Sequence, residues 1–447
     1  MSFEPIAIVG RSCLFPGASD PAALFTRVRE RAVCLSDAPT DRWRLDARHA
    51  LVRSTSDTTD TRDRAWHARG GYVHGFSFDS SGYALPADAL ASLDPLVHWV
   101  LHTARQALRD ASRAGDARTG LVLGNLSLPS SGMSAYAESV WLGALATKLG
   151  VRGEARDRFM SGLPAQLAAR ALGLGLGGFS LDAACASSLY AIEAACRALQ
   201  EGRADRMLAG AVNRADDLFL HVGFTALGAL SPSGRSRPFH AEADGLVPAE
   251  GCGFVVLERL ADARREGRPI LGVIRGVGLA NDGRGRGILA PSEQGQALSM
   301  RRALEQSGLS PSDVRYVECH ATGTTVGDAT ELRSMAAVYP QAMPIGSLKA
   351  NLGHAVTAAG VAGLVKLVEA LRHGVLPPTP VDGGNDRASA ALGDRFEVLA
   401  NERAWDGPRR AALSAFGFGG NDAHLIVEAP EESESRVFAF APARRDE

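Results

Sequence analysis

No apolar run in this 447-residue chain approaches the ~20 residues that a membrane-crossing helix needs, so a helical membrane span is excluded. The opening Met-Ser-Phe-Glu-Pro has neither the basic nor the apolar region of a secretory signal, and a cytoplasmic location is expected. Cysteine is sparse: six residues, at positions 13, 34, 185, 196, 252 and 319, with no C-x-x-C pair. That count in so long a chain argues for reduced thiols and against both a disulfide framework and a zinc site. Lysine is scarcer still, with Lys148, Lys349 and Lys366 alone among 48 basic residues, so any lysine inside a motif is worth inspecting. The formal charge of −2 gives no reason to expect nucleic acid or an anionic membrane as partner. The Arg-Gly alternation within 282–287 reads as one flexible loop.

What is present is an ordinary globular balance, 45% hydrophobic and 22% charged. The length suggests two or three units, or one closely joined pair of repeats. Strands are predicted at 5–9, 206–212, 253–260, 269–277, 316–320 and 344–347. Helices are predicted over 93–111, after Cys185, and from about His354 until Gly374 and Pro377 stop it. Strands alternating with helices indicate an α/β sheet protein. The polar stretch 36–69 reads as surface loop, and 431–447 as a frayed terminus. Two decoys fail on context. His98 and His102 stand one helical turn apart without a third ligand, and read as one face of a helix. The glycines of 173–178 precede a strand instead of following one, which is wrong for a dinucleotide loop.

Chemistry concentrates in three segments. Ser180-Leu-Asp-Ala-Ala-Cys-Ala-Ser-Ser-Leu-Tyr190 puts Cys185 where a strand gives way to a helix. Unpaired N–H groups and the positive end of the helix dipole there favour the thiolate, which lowers a cysteine pKa from its free value of roughly 8.5. A buried structural cysteine is the alternative that this segment leaves open. Glu318-Cys-His-Ala-Thr-Gly-Thr-Thr-Val-Gly-Asp-Ala-Thr-Glu331 delivers an imidazole at a strand end. Gly346-Ser-Leu-Lys-Ala-Asn-Leu-Gly-His354 delivers a second at a helix start, where the positive helix end discourages imidazolium. A neutral His354 with its Nε2–H free would donate to an enolate or carbonyl oxygen. Either histidine alone reads as structural; with Cys185 they form a Cys/His/His set.

With Pro5-Ile-Ala-Ile-Val-Gly10, Ala91-Ser-Leu-Asp-Pro95, Ser231-Pro-Ser-Gly-Arg-Ser-Arg-Pro-Phe239 and Ser414-Ala-Phe-Gly-Phe-Gly-Gly-Asn-Asp-Ala-His424, these motifs resemble the β-ketoacyl synthases of polyketide and polyunsaturated-lipid synthesis. The resemblance covers nearly the whole chain. It implies an α/β thiolase fold: two similar halves, 1–263 with the cysteine and 264–430 with the histidines, stacked as a five-layered α-β-α-β-α core. It implies an acyltransferase in which Cys185 accepts an acyl group from a phosphopantetheine thioester. His320 and His354 would stabilise the enolate left when a malonyl-type extender loses carbon dioxide, for a Claisen condensation. The backbone N–H groups of Cys185 and Phe418 would form the oxyanion hole, and Thr322 and Thr324 would bind pantetheine. Lys349 would pair with Glu331 in support of the histidines, a compact ammonium that arginine's fork would not replace. An acyl carrier protein and a second copy of the chain are the implied partners, with no bound cofactor and no metal.

The departures are as informative. Ala-Ala-Cys-Ala-Ser-Ser stands where Thr-Ala-Cys-Ser-Ser-Ser is common, Cys319 and Ala321 flank His320 where Ala and Gly are usual, and Asn421-Asp422 replaces Thr-Asn beside the oxyanion loop. The last puts acyl-chain specificity in question. With no Gly-His-Ser-x-Gly acyltransferase motif and no Asp-Ser-Leu carrier site, the chain looks free-standing. Intramolecular aldol or Claisen ring closure, such as β-lactone formation, and a non-elongating transfer or scaffold subunit are the other readings. A degradative thiolase would need a second catalytic cysteine near the C-terminus, and none is there.

Overall fold

The computed structural model describes residues 3–40, 42–43, 46–52, 63–126, 130–214, 216, 219–284, 287, 289–381 and 393–431. Most of the polar stretch at 44–62 and the tail beyond Glu431 lie outside the described residues, as do Gly285 and Arg286 of the Arg-Gly loop.

Eleven strands form one sheet. In chain order they are β1 (Ile6–Leu14), β2 (Thr119–Asn125), β3 (Gly178–Leu181), β4 (Arg206–Asn213), β5 (Gly251–Arg259), β6 (Gly272–Asn281), β7 (Tyr316–Glu318), β8 (Met343–Gly346), β9 (Phe396–Val398), β10 (Arg410–Gly417) and β11 (Asn421–Glu428). Their order across the sheet is β9-β8-β7-β10-β11-β6-β1-β5-β4-β2-β3. The first five strands follow the order 3-2-4-5-1, and β6, β7, β8, β10 and β11 repeat it, with β9 added at the far edge. Directions repeat too: β2 runs parallel to β3 and β4, and β7 parallel to β8 and β10, while the remaining pairs of each set are antiparallel. The two sets meet where β1 pairs antiparallel with β6.

Helices complete five layers. On the outer face of the first set lie α1 (Pro95–Asp110) and α2 (Leu163–Ala171); between the sets lie α3 (Ser187–Gln200) and α6 (Ala359–His373); outside the second lie α4 (Glu293–Ser307) and α5 (Thr325–Ala336). Because both faces of the strands are covered, they read as near-continuous apolar runs; all nine residues of β1 and all eight of β4 are buried. Asp94 caps α1 by accepting from the Leu96 N–H, and Pro95 at its first position has the φ a helix needs. α6 runs through the centre with twelve of its fifteen residues buried, and stops at Gly374 in the left-handed conformation.

Two sequence expectations shift at their edges. The strand expected over 5–9 continues to Leu14, through a bulge at Val9 beyond which Gly10–Leu14 stay paired with β5. The helix expected from His354 begins only at Ala359, after a 3₁₀ turn at Val356–Ala358. His98 takes the role of a packing residue: its Nε2 bonds the Leu90 carbonyl at 2.9 Å and its ring stacks on Phe78, while His102 meets Phe76 edge-on.

Candidate active site

Cys185 is the middle residue of a 3₁₀ turn, Ala184–Ala186, between β3 and α3. The turn is strained, with Ala184 at φ 51° although it is not glycine. Local hydrogen bonds hold it there. Asp182 Oδ1 accepts from the Ala184 N–H at 2.9 Å, and Ser187 Oγ accepts from Ala183 N–H while donating to the Ala184 carbonyl. The glycine loop between β10 and β11 then closes over the turn. A Cβ on Gly417 would stand 2.5 Å from the Ala183 oxygen, so only glycine permits this approach. The approach brings the Phe418 backbone beside the thiol, where its N–H and that of Cys185 itself act to lower the thiol's pKa.

Both imidazoles arrive from the second set of strands. His354 Nε2 lies 3.0 Å from Cys185 Sγ, and its Nδ1 accepts from the Val356 N–H at 3.2 Å. An Nδ1 that accepts carries no proton, so the ring is the Nε2–H tautomer and that proton faces the sulfur. The His320 ring stands edge-on to His354 with centroids 5.4 Å apart. Glu331 fixes the turn that carries it, its two oxygens accepting from the N–H groups of His320 (2.8 Å) and Ala321 (2.7 Å). Asp328 does the same for Thr322 and Gly323. Thr322 and Thr324 bond each other at 3.1 Å and line the same cavity of about 940 Å³ as Cys185, His320, His354 and Phe418.

Electrostatics correct two expectations. Burial pushes the Cys185 thiol up to about 11, with the Lys349 charge and the Phe418 and Cys185 N–H groups pulling against it. Desolvation thus outweighs the helix end, and the resting group is the thiol. His354 is held neutral as expected, and His320 with it, but mainly by burial, with Lys349 as the next cause; both sit well below the usual imidazole range. The second correction concerns Lys349. Among the described residues, no carboxylate oxygen lies within 4.0 Å of its ammonium, because Glu331 is committed to the two backbone N–H groups; Glu318 and Glu331 act on Lys349 only through space. Burial lowers Lys349 and raises Glu331 to about 8.

The tight ion pair of this region was missed in the sequence. Lys366, fully buried on α6, donates to Glu318 Oε2 at 2.6 Å, and Glu318 Oε1 accepts from the Leu348 N–H beside Lys349. A lysine inside the apolar run of a helix, in a chain with three lysines, was the available signal. Ser236 was also missed; its hydroxyl holds the Lys349 carbonyl at 2.6 Å. His424 of the C-terminal motif is placed away from the thiol, bonded to Tyr339 and Ser414. Cys185, His320 and His354 bring one ligand atom each within 4.8 Å of one another, the set that could contact a soft metal. The 3.0 Å sulfur–nitrogen contact is a hydrogen-bond distance, shorter than the about 3.5 Å between ligands on tetrahedral zinc.

Residues 3–263 match the family described as Beta-ketoacyl synthase, N-terminal domain, and residues 271–381 its C-terminal domain. The chain belongs to the β-ketoacyl synthase family. Among curated relatives, it is 38% identical over 457 residues to the phenolphthiocerol synthesis polyketide synthase type I Pks15/1 of Mycobacterium bovis, covering 98% of this chain and 21% of that protein. It is 37% identical to the mycoketide-CoA synthase of Mycobacterium tuberculosis, covering 96% of this chain and 10% of the relative. The chain thus spans less than a quarter of the length of these two relatives. Among solved structures, the PfaC keto synthase-chain length factor superposes with a TM-score of 0.87 at 36% identity, over 96% of this chain and 48% of the other. The oxazolomycin ketosynthase domain OzmH KS7 of Streptomyces albus JA3453 superposes at 0.84 and 30%, over 96% and 75%. These likenesses make the five-layered architecture the thiolase fold of ketosynthases.

Proposed function

We propose that this chain forms carbon–carbon bonds by decarboxylative Claisen condensation in polyketide or specialised lipid synthesis, on substrates carried as phosphopantetheine thioesters by an acyl carrier protein. The observation that carries the reading is the contact of Cys185 Sγ with His354 Nε2–H at 3.0 Å, under the Phe418 N–H. In the first half-reaction the sulfur attacks the acyl thioester carbonyl, the N–H groups of Cys185 and Phe418 hold the oxyanion, and the pantetheine thiolate leaves with the thiol proton. In the second, the malonyl-type thioester loses carbon dioxide, and neutral His354 and His320 donate to the enolate oxygen. The carbanion then attacks the acyl-Cys185 carbonyl and displaces the sulfur. Lys349 and Glu331 support the array, and Thr322 and Thr324 meet the pantetheine amides.

The halves 1–263 and 264–430 form the working unit of this reading, which acts in the cytoplasm as a homodimer. No helix of the described residues is long and apolar enough to cross a membrane. A second copy is supported by β3, a sheet-edge strand bearing the exposed Phe179. Exposed Val140, Trp141, Leu145 and Leu149 on the helices Ser131–Leu142 and Ala144–Leu149 support it further. The test is product analysis with an acyl-carrier substrate, with and without malonyl thioester, alongside intact mass. A Cys185-dependent adduct and a chain-extended product only with malonyl thioester are expected. A cyclised product without malonyl thioester would replace elongation by ring closure, and no adduct across a broad acyl panel would overturn the enzyme reading.

A further inference from the structure

The Asp422 departure acquires a physical meaning in the structure. Asp422, on β11 directly opposite Phe416, is 2% exposed, and its Oδ2 has no hydrogen-bond partner. Asp282, one residue beyond β6, likewise holds a buried, unpartnered Oδ1. These two orphaned oxygens converge on one point. A Cβ built on Gly295 of α4 would stand 1.9 Å from Asp282 Oδ1 and 2.5 Å from Asp422 Oδ2, so the oxygens are no more than about 4.4 Å apart. Two buried acceptors that face each other leave each other unsatisfied, and a single shared proton satisfies both.

The pair spans the ends of a loop with a job. Asp282 N–H donates to the Gly420 carbonyl at 2.9 Å, and the neighbouring Asn281 amide donates to the Gly419 carbonyl at 3.1 Å and to Asn421 Oδ1 at 3.2 Å. The loop so held carries Phe418, whose N–H faces the Cys185 sulfur. We propose that Asp282 and Asp422 share one proton as an acid–carboxylate pair, and that this bond positions the glycine loop so that the Phe418 N–H meets the acyl oxyanion. Both are positioning residues, since neither touches the reacting atoms. The inference rests on the ketosynthase reading for its catalytic consequence and on the two orphaned oxygens for the pair itself.

The direction of ionisation agrees. Burial, and after it the charge and bond of Asp282, push Asp422 up to about 9; burial also raises Asp282, but its bond with Asp422 and then those with Ser292 pull against it, so the proton rests on Asp422. The other groups around the pair are Tyr190 on α3, raised by burial and then by Asp422; Glu293 on α4, paired with Arg333 of α5; and His424, two positions along β11 and kept neutral by burial. None of these supplies a cation within 4.0 Å of either carboxylate. An asparagine at position 422 would present an amide N–H to Asp282 without a proton to lose.

The experiment compares two reactions of the same thiol on the full chain. Acylation by hexanoyl-pantetheine forms an oxyanion; alkylation by iodoacetamide does not. Their rate ratio, read by intact mass from pH 6 to 10, cancels thiol ionisation. The ratio is expected to stay level to about pH 8 and then fall about tenfold in the wild type. In Asp422→Asn, whose amide donates the same bond, it stays level throughout. A level ratio in the wild type, or the same fall in Asp422→Asn, overturns the proposal. A second readout needs no catalysis. A carboxyl whose folded pKa is raised gives stability that is full below its unfolded value and is lost as pH rises to its folded value. The melting temperature of the wild type relative to that of Asp422→Asn is therefore expected to fall as pH rises from 4 to 9. Parallel curves overturn the shared proton. Divergent curves with a thiol that alkylates but never acylates retain the shared proton and overturn the ketosynthase reading, and with it the loop's catalytic role.

Discussion

The turn Ala184–Ala186 that opens α3 and the turn Val356–Ala358 that opens α6 share a backbone and differ in their side chains. Each begins on a non-glycine residue with positive φ, Ala184 at 51° and Val356 at 44°. Each is braced by a side chain two residues earlier that accepts from that residue's N–H, Asp182 in one and His354 in the other. In the middle stand Cys185 and Thr357. The cysteine keeps its sulfur turned to the cavity, whereas the Thr357 hydroxyl is spent on the Val212 carbonyl at 2.5 Å. Where the first turn has a short aspartate, the second has an imidazole, long enough to brace its own turn with Nδ1 and reach the opposite thiol with Nε2. A duplicated frame thus yields one site because each half supplies what the other lacks.

Substitutions break this comparison in graded ways. Cys185→Ala should abolish the acyl adduct seen by intact mass, and Thr357→Cys added to it should not restore the adduct, since position 357 faces Val212. His354→Ala should still acylate but lose about 10²–10³-fold in condensation, the usual cost of one oxyanion donor, read as product per acyl-enzyme. Unchanged condensation would remove His354 from the mechanism. Gly360→Ser would copy the first turn's Ser188 into the second. Its Cβ would stand 2.5 Å from Ser188 Oγ, so a loss of about 1–3 kcal/mol in chemical denaturation is expected from overpacking. Thr357→Val should leave acylation intact and cost about 1 kcal/mol by unpairing the Val212 carbonyl. The pH dependence of stability sharpens the same contrast. His320 and His354 have folded pKa values depressed below 6.5, so the unfolded chain binds protons first as pH falls. Their contribution to stability should be full above pH 6.5 and decline below it, so the stability of the wild type relative to His354→Ala should fall as pH drops through 6.5.

The strand–helix alternation and the Cys/His/His set were legible because each rests on local pattern: apolar runs, and motifs at the ends of strands. The Lys349–Glu331 pairing was not, since whether a carboxylate bonds an ammonium or two backbone N–H groups is decided by how the His320 turn folds back. The state of the Cys185 thiol escaped for a related reason. A helix start is visible in sequence, but the desolvation that overrides it is a property of packing. Lys366 stood out as a lysine in an apolar helix, but its partner Glu318, 48 residues away in sequence, could not be read from local pattern. Asp422 could be flagged as a departure but not explained until Asp282 was brought opposite it.

The scarcity of lysine has a practical side. Lys349 and Lys366 are buried, which leaves Lys148 as the exposed side-chain amine among the described residues. It lies on the helix Ala144–Leu149, between the exposed Leu145 and Leu149. Apart from the chain's α-amine, an amine-directed dye or cross-linker would therefore address one lysine of the folded protein, on the apolar face proposed to meet a second copy. The chain thus carries a single side-chain reporter, able to register by fluorescence transfer or cross-link length whether that face is open or covered.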